Sequence, residues 1–210
     1  MGFFMVVCGT PWPAGERAVQ EYMQARCDDR DKQWIYRLIR GEKLENECVY
    51  VDEEEFMICL DIHPGTDNRY LVVFKDLKLR TIRDLRKEHI PLLTRVDETV
   101  REFLRTQHPG DYANFRTFFH YTPSVFQLHA HVSVYGPHNQ STRVHPLKLL
   151  LQHLRKDSLW YRDALILISL CRSMKALHVY KAIQTGKDGA HTADLGERVA
   201  LSESTSQYTR

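Results

Sequence analysis

The sequence has few cysteines, and they are too scattered to form a disulfide or metal framework. The five cysteines stand far apart with no Cys-x-x-Cys pair; they are Cys8, Cys27, Cys48, Cys59 and Cys171. An odd, dispersed set excludes a zinc ribbon and argues against a disulfide-stapled secreted domain. We therefore predict a protein of a reducing compartment.

Long apolar runs and a large excess of charge are also lacking. No segment approaches the ~20 apolar residues that cross a bilayer, and no basic residues precede the short apolar run near the start. Lys and Arg number 29 against 27 acidic residues, a net charge of +2. So weak a field excludes non-specific nucleic-acid binding, and any anionic ligand must be held by a local site. We predict a soluble cytoplasmic protein, with a nuclear location left open, and no membrane or DNA partner.

The 210 residues divide by composition into three parts. Residues 1–32 contain the Pro/Gly patch "GTPWPAGE" and a charged stretch. The tail from Gly186 is rich in Gly, Ser, Thr and charge and nearly free of large apolar residues. We predict a short extension at 1–32, one domain at 33–185 and a disordered tail at 186–210.

Hydrophobic patterns in the middle part predict several strands around two main helices. Apolar residues at helical spacing predict an amphipathic helix that ends before Pro109; they are Leu93, Val96, Val100, Phe103 and Leu104. Another helix is predicted in "PLKLLLQHLRK", and a short helix or turn in "QWIYRLIRG". Strands are predicted in "ECVYVD", "EFMICLDIH", "RYLVVFK", "NFRTFFHYTP", "FQLHAHVSVYG" and "DALILISLC". Connections of hairpin length predict an α+β fold on an antiparallel sheet.

Polar side chains alternate along one of these strands. Side chains two apart share a strand face, so Gln127, His129 and His131 are predicted to project together while the intervening residues face the core. The pattern fits solvated histidines, a metal site with His120 as third ligand, or an imidazole that attacks phosphorus while its neighbours hold phosphate oxygens. Spacing alone does not separate these three.

The segment "HYTPSVFQLHAHVSVYG" resembles the histidine-triad motif, His-φ-His-φ-His-φ-φ with φ apolar, in the form used by scavenger mRNA decapping enzymes. In that family an upstream "HYxPS" segment precedes the triad at the same separation. Further segments follow in the family's order and approximate spacing; they are "QWIY", "LDIH", "TIRDLRKEHIPLL" and the region through Leu170. The resemblance covers about residues 33–183 and implies the histidine-triad form of the α+β fold.

The resemblance also implies a reaction and the residues that carry it. Family enzymes cleave the triphosphate bridge of capped dinucleotides or short capped RNA and release 7-methylguanosine monophosphate, without a metal or other cofactor. His129 matches the nucleophile, which forms a phosphohistidine. His131 matches the histidine that hydrogen-bonds the attacked phosphate, and His120 matches one that contacts phosphate near the leaving group.

Two further positions match the family's cap-base pocket. Methylated guanine is cationic, so it stacks on an indole while a carboxylate accepts hydrogen bonds from its N1 and N2 edge. Trp34 matches the stacking tryptophan. Glu45 matches the carboxylate if one inserted residue near Gly41 is allowed, with Glu42 and Glu47 as alternatives.

The remaining matches concern the phosphates, and two depart from the family pattern. Ser124 matches a phosphate-loop serine, and Arg143 a basic residue that reaches the bridge phosphates. Asp61 matches an aspartate of the family's Pro-Asp-Leu-Lys loop, but His63 replaces its lysine and is mostly uncharged at neutral pH. Gln127 replaces the first triad histidine; its amide keeps a donor and an acceptor, so we expect altered geometry or rate.

The resemblance implies a homodimer, and a catalytic half with little or no N-terminal lid, since only 32 residues precede "QWIY". Two other functions stay open. One is a general dinucleoside polyphosphate or nucleoside phosphoramidate hydrolase, for which Gln127 is less of a handicap. The other is a catalytically weak cap-binding protein.

Overall fold

The computed structural model gives the arrangement of the strands and helices of the predicted domain. It describes residues 4–8, 33–42, 48–61, 69–110, 114–121, 123–134, 144–164 and 166–170. The predicted tail at 186–210 lies outside these residues.

Eight strands are present in the described ranges. They are β1 (Phe4–Cys8), β2 (Val49–Asp52), β3 (Phe56–Leu60), β4 (Arg69–Phe74), β5 (Phe115–His120), β6 (His129–Val134), β7 (Val144–Pro146) and β8 (Ile166–Leu170). Six of them form one antiparallel sheet in the order β2-β3-β4-β6-β5-β7, and β1 pairs antiparallel with β8. The predicted α+β class and its antiparallel sheet are confirmed.

Four α-helices accompany the strands in the same ranges. They are α1 (Trp34–Ile39), α2 (Ile90–Gln107), α3 (Leu147–Lys156) and α4 (Trp160–Asp163). Pro91 lies in the first turn of α2, where the missing N–H costs nothing. The five apolar residues that predict α2 are all buried. None of the described helices is both long and apolar enough to span a bilayer.

One face of the sheet carries the main core. Ile58, Val72, Ala130 and Phe119 form a row across four strands, and each is fully buried. Apolar residues of α2 and α3 pack into the same cluster, in which Leu128, Ala130 and Val132 lie as predicted. Full burial of each large side chain stabilises the domain by ~1.5–3 kcal/mol.

The opposite face is covered by α1 over only part of its width. Ile35 and Leu38 of α1 pack on the alternate residues of β3 and β4; these are Met57, Cys59, Leu71 and Val73. Because α1 is six residues long, it covers these two strands while β6 and β5 continue the same face beyond it.

A buried arginine joins a turn before α2 to the end of α4. The Arg83 side chain is 7% exposed, and its Nη1 lies 2.8–3.2 Å from the carbonyl oxygens of Tyr161, Arg162 and Ala164. Its Nε donates to the Tyr121 hydroxyl. Carbonyls in the last turn of a helix have no partner within the helix, so Arg83 satisfies those at the end of α4.

Three elements were not predicted, and the strand predicted in "FQLHAHVSVYG" starts later than expected. The unpredicted elements are β1, β7 and α4, of which β7 and α4 have only three and four residues. The strand predicted to start at Phe126 begins at His129, because residues 124–127 form bends. Period-two alternation therefore does not extend back to Gln127, and its predicted place beside the histidines is wrong.

Candidate active site

The sheet register places the histidines on the face that α1 leaves uncovered. Cys59, Leu71, His131 and Phe118 form one row across β3, β4, β6 and β5, and Val73 lies opposite His129. The face is thus apolar beneath α1 and carries imidazoles beyond it.

The three predicted catalytic histidines lie together. Ring centroids are 4.4 Å apart for His120 and His131, and 5.3 Å apart for His129 and His131. The Phe118 ring stacks nearly parallel to His131, with centroids 5.5 Å apart. Phe118 also contacts the His120 ring and holds the two imidazoles from one side. Phe118 was not predicted as a site residue, although it lies two residues before His120 on the same strand face.

Hydrogen bonding fixes the tautomer of His129. Its Nδ1 lies 2.7 Å from the backbone carbonyl oxygen of Gln127. A carbonyl oxygen only accepts, so Nδ1 carries the hydrogen and donates it. In the neutral ring Nε2 then keeps its lone pair, which is the form a nucleophile requires.

Burial keeps this imidazole neutral. His129 is 8% exposed, and removal from water lowers its pKa from 6.5 to about 4. The neighbouring His131 lowers the pKa further, while the Gln127 carbonyl and the Asp61 carboxylate oppose the shift. At neutral pH the lone pair on Nε2 is therefore available.

Asp61 is a buried neighbour of the histidines. It follows β3 on the site face, is 6% exposed, and its Oδ2 lies 3.7 Å from His131 Nδ1. Its backbone N–H donates to the Arg69 carbonyl oxygen, which continues the pairing of β3 with β4 by one residue.

The short helix α1 is tied to the loop before His129. The Tyr36 hydroxyl donates to the Phe126 carbonyl oxygen at 3.2 Å. Trp34 is half-buried and packs against the apolar cluster beneath α1. Tyr36 was not selected from the sequence, since nothing in its spacing distinguishes it from a core tyrosine.

Gln127 lies in the interior, with its side chain 1% exposed. Its Nε2 donates to the carbonyl oxygens of Phe74 and Asp76, at 2.7 and 3.0 Å. The expected role in binding phosphate does not fit this burial, because the amide hydrogens are used within the protein.

The other predicted binding residues fall into two groups. Ser124 is exposed in the loop before β6, and the carboxylate of Glu42 pairs with Arg37 and Arg40 at 2.7 and 2.9 Å. Glu45, Glu47, His63 and Arg143 lie outside the described residues. Within the described ranges, no three His, Cys, Asp or Glu side chains are grouped so as to hold a metal ion.

Comparisons with known proteins agree with the motif analysis. A family model described as "Scavenger mRNA decapping enzyme C-term binding" matches residues 33–144. The m7GpppX diphosphatase of Mus musculus is 27% identical over 150 residues, which cover 66% of this chain and 44% of that protein. The m7GpppX diphosphatase of Homo sapiens is 24% identical over 148 residues, with the same shares covered. The chain spans less than half the length of these two relatives.

Two other similarities are weaker or shorter. The Adenosine 5'-monophosphoramidase HINT3 of Xenopus tropicalis is 29% identical over 101 residues, which cover 48% of this chain and 65% of that protein. A solved structure titled "Crystal structure of aprataxin ortholog Hnt3 in complex with DNA" has a TM-score of 0.44 and 13% identity. It covers 78% of this chain and 97% of that one.

The antiparallel sheet groups histidines of two neighbouring strands on one face. This is the architecture of the histidine-triad class, so the predicted histidine-triad fold is confirmed. The family model covers more than half of the chain. The chain belongs to the family of the scavenger mRNA decapping enzyme C-terminal region, as its motifs indicated.

Proposed function

We propose that this domain hydrolyses the triphosphate bridge of 7-methylguanosine cap dinucleotides or short capped RNA fragments. The observation that carries the proposal is the buried, neutral His129, whose Nδ1–H donates to a carbonyl and leaves the Nε2 lone pair for attack. Family membership and the name m7GpppX diphosphatase of two relatives support the choice of substrate.

The proposed reaction has two steps. His129 Nε2 attacks the phosphorus of the 7-methylguanylate; a P–N bond forms, a bridging P–O bond breaks, and the rest of the substrate leaves as a diphosphate. Water then attacks the phosphohistidine, breaks the P–N bond and releases 7-methylguanosine monophosphate. His131 and His120 donate hydrogen bonds to the phosphate oxygens and the leaving group.

The remaining matched residues complete the proposed substrate site. Trp34 stacks on the methylated base, and Glu45 accepts hydrogen bonds from its edge. Ser124, His63 and Arg143 contact the phosphates, and Asp61 acts beside His131. No metal or other cofactor takes part.

A second candidate is the hydrolysis of a nucleoside phosphoramidate. The similarity to a protein named Adenosine 5'-monophosphoramidase HINT3 favours it, because the same nucleophile can attack a phosphorus that bears an amine leaving group. The two candidates share His129 and differ in the base and the leaving group.

A variant of the nucleophile tests the chemistry. His129→Asn is expected to lower kcat by orders of magnitude, since no neighbouring side chain replaces a covalent nucleophile, while nucleotide binding is retained. The kcat and the nucleotide affinity are measured with four substrates: a methylated cap dinucleotide, its unmethylated form, diadenosine tetraphosphate and adenosine 5′-phosphoramidate. The preferred substrate decides between the two candidates.

The matched control is His145→Asn. His145 lies on β7 opposite Phe119, contacts the Tyr161 ring and also has a pKa lowered to about 4 by burial. It is a half-buried histidine away from the three site rings, so its variant should keep the wild-type kcat. Substantial activity of purified His129→Asn would refute the proposed nucleophile.

We also propose that the protein is a homodimer, as the family resemblance implies. Sedimentation equilibrium should give twice the 24.7 kDa chain mass, and a monomer at micromolar concentration would contradict this.

A further inference from the structure

The side chain of Gln127 closes a ring of hydrogen bonds around the peptide group that holds the nucleophile. Its amide nitrogen donates to Phe74 O at the end of β4 and to Asp76 O in the turn that follows. Asp76 O also accepts from the backbone N–H of Leu79, at 3.0 Å. The amide therefore holds both the end of β4 and the turn at residues 75–79.

The same turn fixes the peptide between Gln127 and Leu128. The Leu128 N–H donates to Leu79 O at 2.8 Å, and Leu128 O accepts from the Phe74 N–H at 3.1 Å. The carbonyl of this peptide is the one that accepts from His129 Nδ1. Because a peptide group is planar, a bond to its N–H also sets the direction of its carbonyl.

We propose that Gln127 is a positioning residue: its amide anchors the 75–79 turn, the turn orients the 127–128 peptide, and that peptide holds His129 in the tautomer with Nε2 unprotonated. This inference rests on the proposed role of His129 as nucleophile. It assigns Gln127 a function in the interior instead of contact with substrate phosphate.

The donor count explains why an amide suits this position. Two carbonyl oxygens need two hydrogens, and the NH2 group of glutamine supplies both from one atom. A neutral imidazole has one N–H, and a protonated one directs its two hydrogens to different sides of the ring. At position 127 a glutamine therefore anchors the turn better than the histidine that the triad motif has at this position. The cost is a buried Oε1 with no partner among the described residues.

The decisive measurement is the tautomer of His129. Long-range 1H–15N spectra of histidine-labelled protein distinguish protonated Nδ1 from protonated Nε2, and His129→Asn assigns the signals by their loss. The wild type should show Nδ1–H alone at pH 7. Gln127→Met has a similar volume without donors and should show a mixture of tautomers. Its kcat should fall about tenfold or more with KM within about twofold, since only one tautomer can attack.

A second variant at the same position keeps the proposal testable if Gln127→Met fails to fold. Gln127→His supplies one donor in place of two, so it should show partial tautomer mixing and a kcat below that of the wild type. The control is Thr117→Val, which removes another buried oxygen without a partner in the described residues, on β5 opposite Val132. It should change neither the tautomer nor kcat.

The results separate this inference from the proposed function. An unchanged tautomer and kcat in Gln127→Met, or a kcat for Gln127→His equal to or above the wild type, would overturn the positioning role. The tautomer measurement does not depend on turnover. If tautomer mixing occurs but His129→Asn remains active, the positioning role stands and the nucleophile assignment fails.

Discussion

At the scale of single residues, the site depends on an imidazole that remains neutral because it is buried. The cost of removing a charged ring from water exceeds the favourable effects of the Gln127 carbonyl and of Asp61, so the pKa of His129 falls to about 4. His145 reaches a similar pKa through burial together with the charges of Arg83 and His153. A low histidine pKa therefore occurs both in the site, at His129, and away from it, at His145 on β7 beside Tyr161 of α4.

Both histidines make stability depend on pH in the same direction. In the unfolded chain each ring binds a proton near pH 6.5, whereas in the folded protein it does so only near pH 4. The free energy of unfolding should therefore be highest above pH 6.5 and decrease as the pH falls from 6.5 to 4.

Urea unfolding at several pH values measures this dependence. His145→Asn should reduce the slope of unfolding free energy against pH by about one proton between pH 4 and 6.5, and His129→Asn by about the same. An unchanged slope in His145→Asn would show that this ring titrates normally in the folded protein.

The pH profile of activity should show the same titration. As the pH is lowered, kcat/KM should fall near pH 4, where His129 gains its proton.

At the scale of elements, α1 links the proposed base site to the loop before His129. Trp34 opens the helix, and two residues later Tyr36 bonds to Phe126 O, three residues before His129. A helix of only six residues is not stable by itself, so α1 depends on its packing against β3 and β4. Its position is thereby fixed by the same sheet that carries the histidines.

Trp34→Ala should weaken binding of a methylated cap nucleotide more than binding of its unmethylated form. Stacking on the cationic base adds ~1–2 kcal/mol, or about five- to thirtyfold in Kd. Titration calorimetry with both ligands gives the ratio. Trp160→Ala is the control, since Trp160 of α4 stacks on His153 of α3, so the variant should leave the ratio unchanged. Equal weakening of both ligands by Trp34→Ala would assign Trp34 to packing alone.

The contact between Arg83 and the end of α4 should contribute strongly to stability. A lysine at this position cannot reproduce the planar fork that reaches both the Tyr121 hydroxyl and the carbonyls of α4. Arg83→Lys should lower the free energy of unfolding by ~1–3 kcal/mol, because buried carbonyls lose their donors. Arg162→Lys, at an exposed ion pair with Asp163, should lower it much less, because exposed ion pairs contribute little to stability. Equal effects of the two variants would contradict this account.

At the scale of the whole molecule, the proposed chemistry uses side chains of this chain alone. In the proposed mechanism the nucleophile is an imidazole, and histidines of two strands donate hydrogen bonds to the phosphate. Saturating EDTA should therefore leave kcat/KM unchanged, as measured with whichever of the four test substrates the protein prefers. Loss of activity that added zinc restores would replace the phosphohistidine mechanism with a metal-dependent one.

The sequence predicted those parts of the fold that repeat a period over many residues. The helical spacing of α2 and the polar–apolar alternation of β6 were sufficient for those two elements. The short apolar runs of β3 and β4 predicted strands that are buried on both faces. Gln127 was misplaced because alternation was extended past the start of β6 into a bend. Phe118 was missed because an apolar residue in a strand is usually a core residue, and Arg83 because arginine is seldom buried.

The position of β6 inside the sheet has a consequence for local motion. With β4 bonded along one edge and β5 along the other, β6 opens only if the sheet itself separates, so its amide hydrogens should exchange with solvent only through global unfolding. The single turn and a half of α1 is held from one side, and its amides should exchange through much smaller fluctuations. The histidine proposed as the nucleophile therefore lies on a strand that should open only with the whole sheet, whereas α1, which is proposed to hold the base, should open more readily.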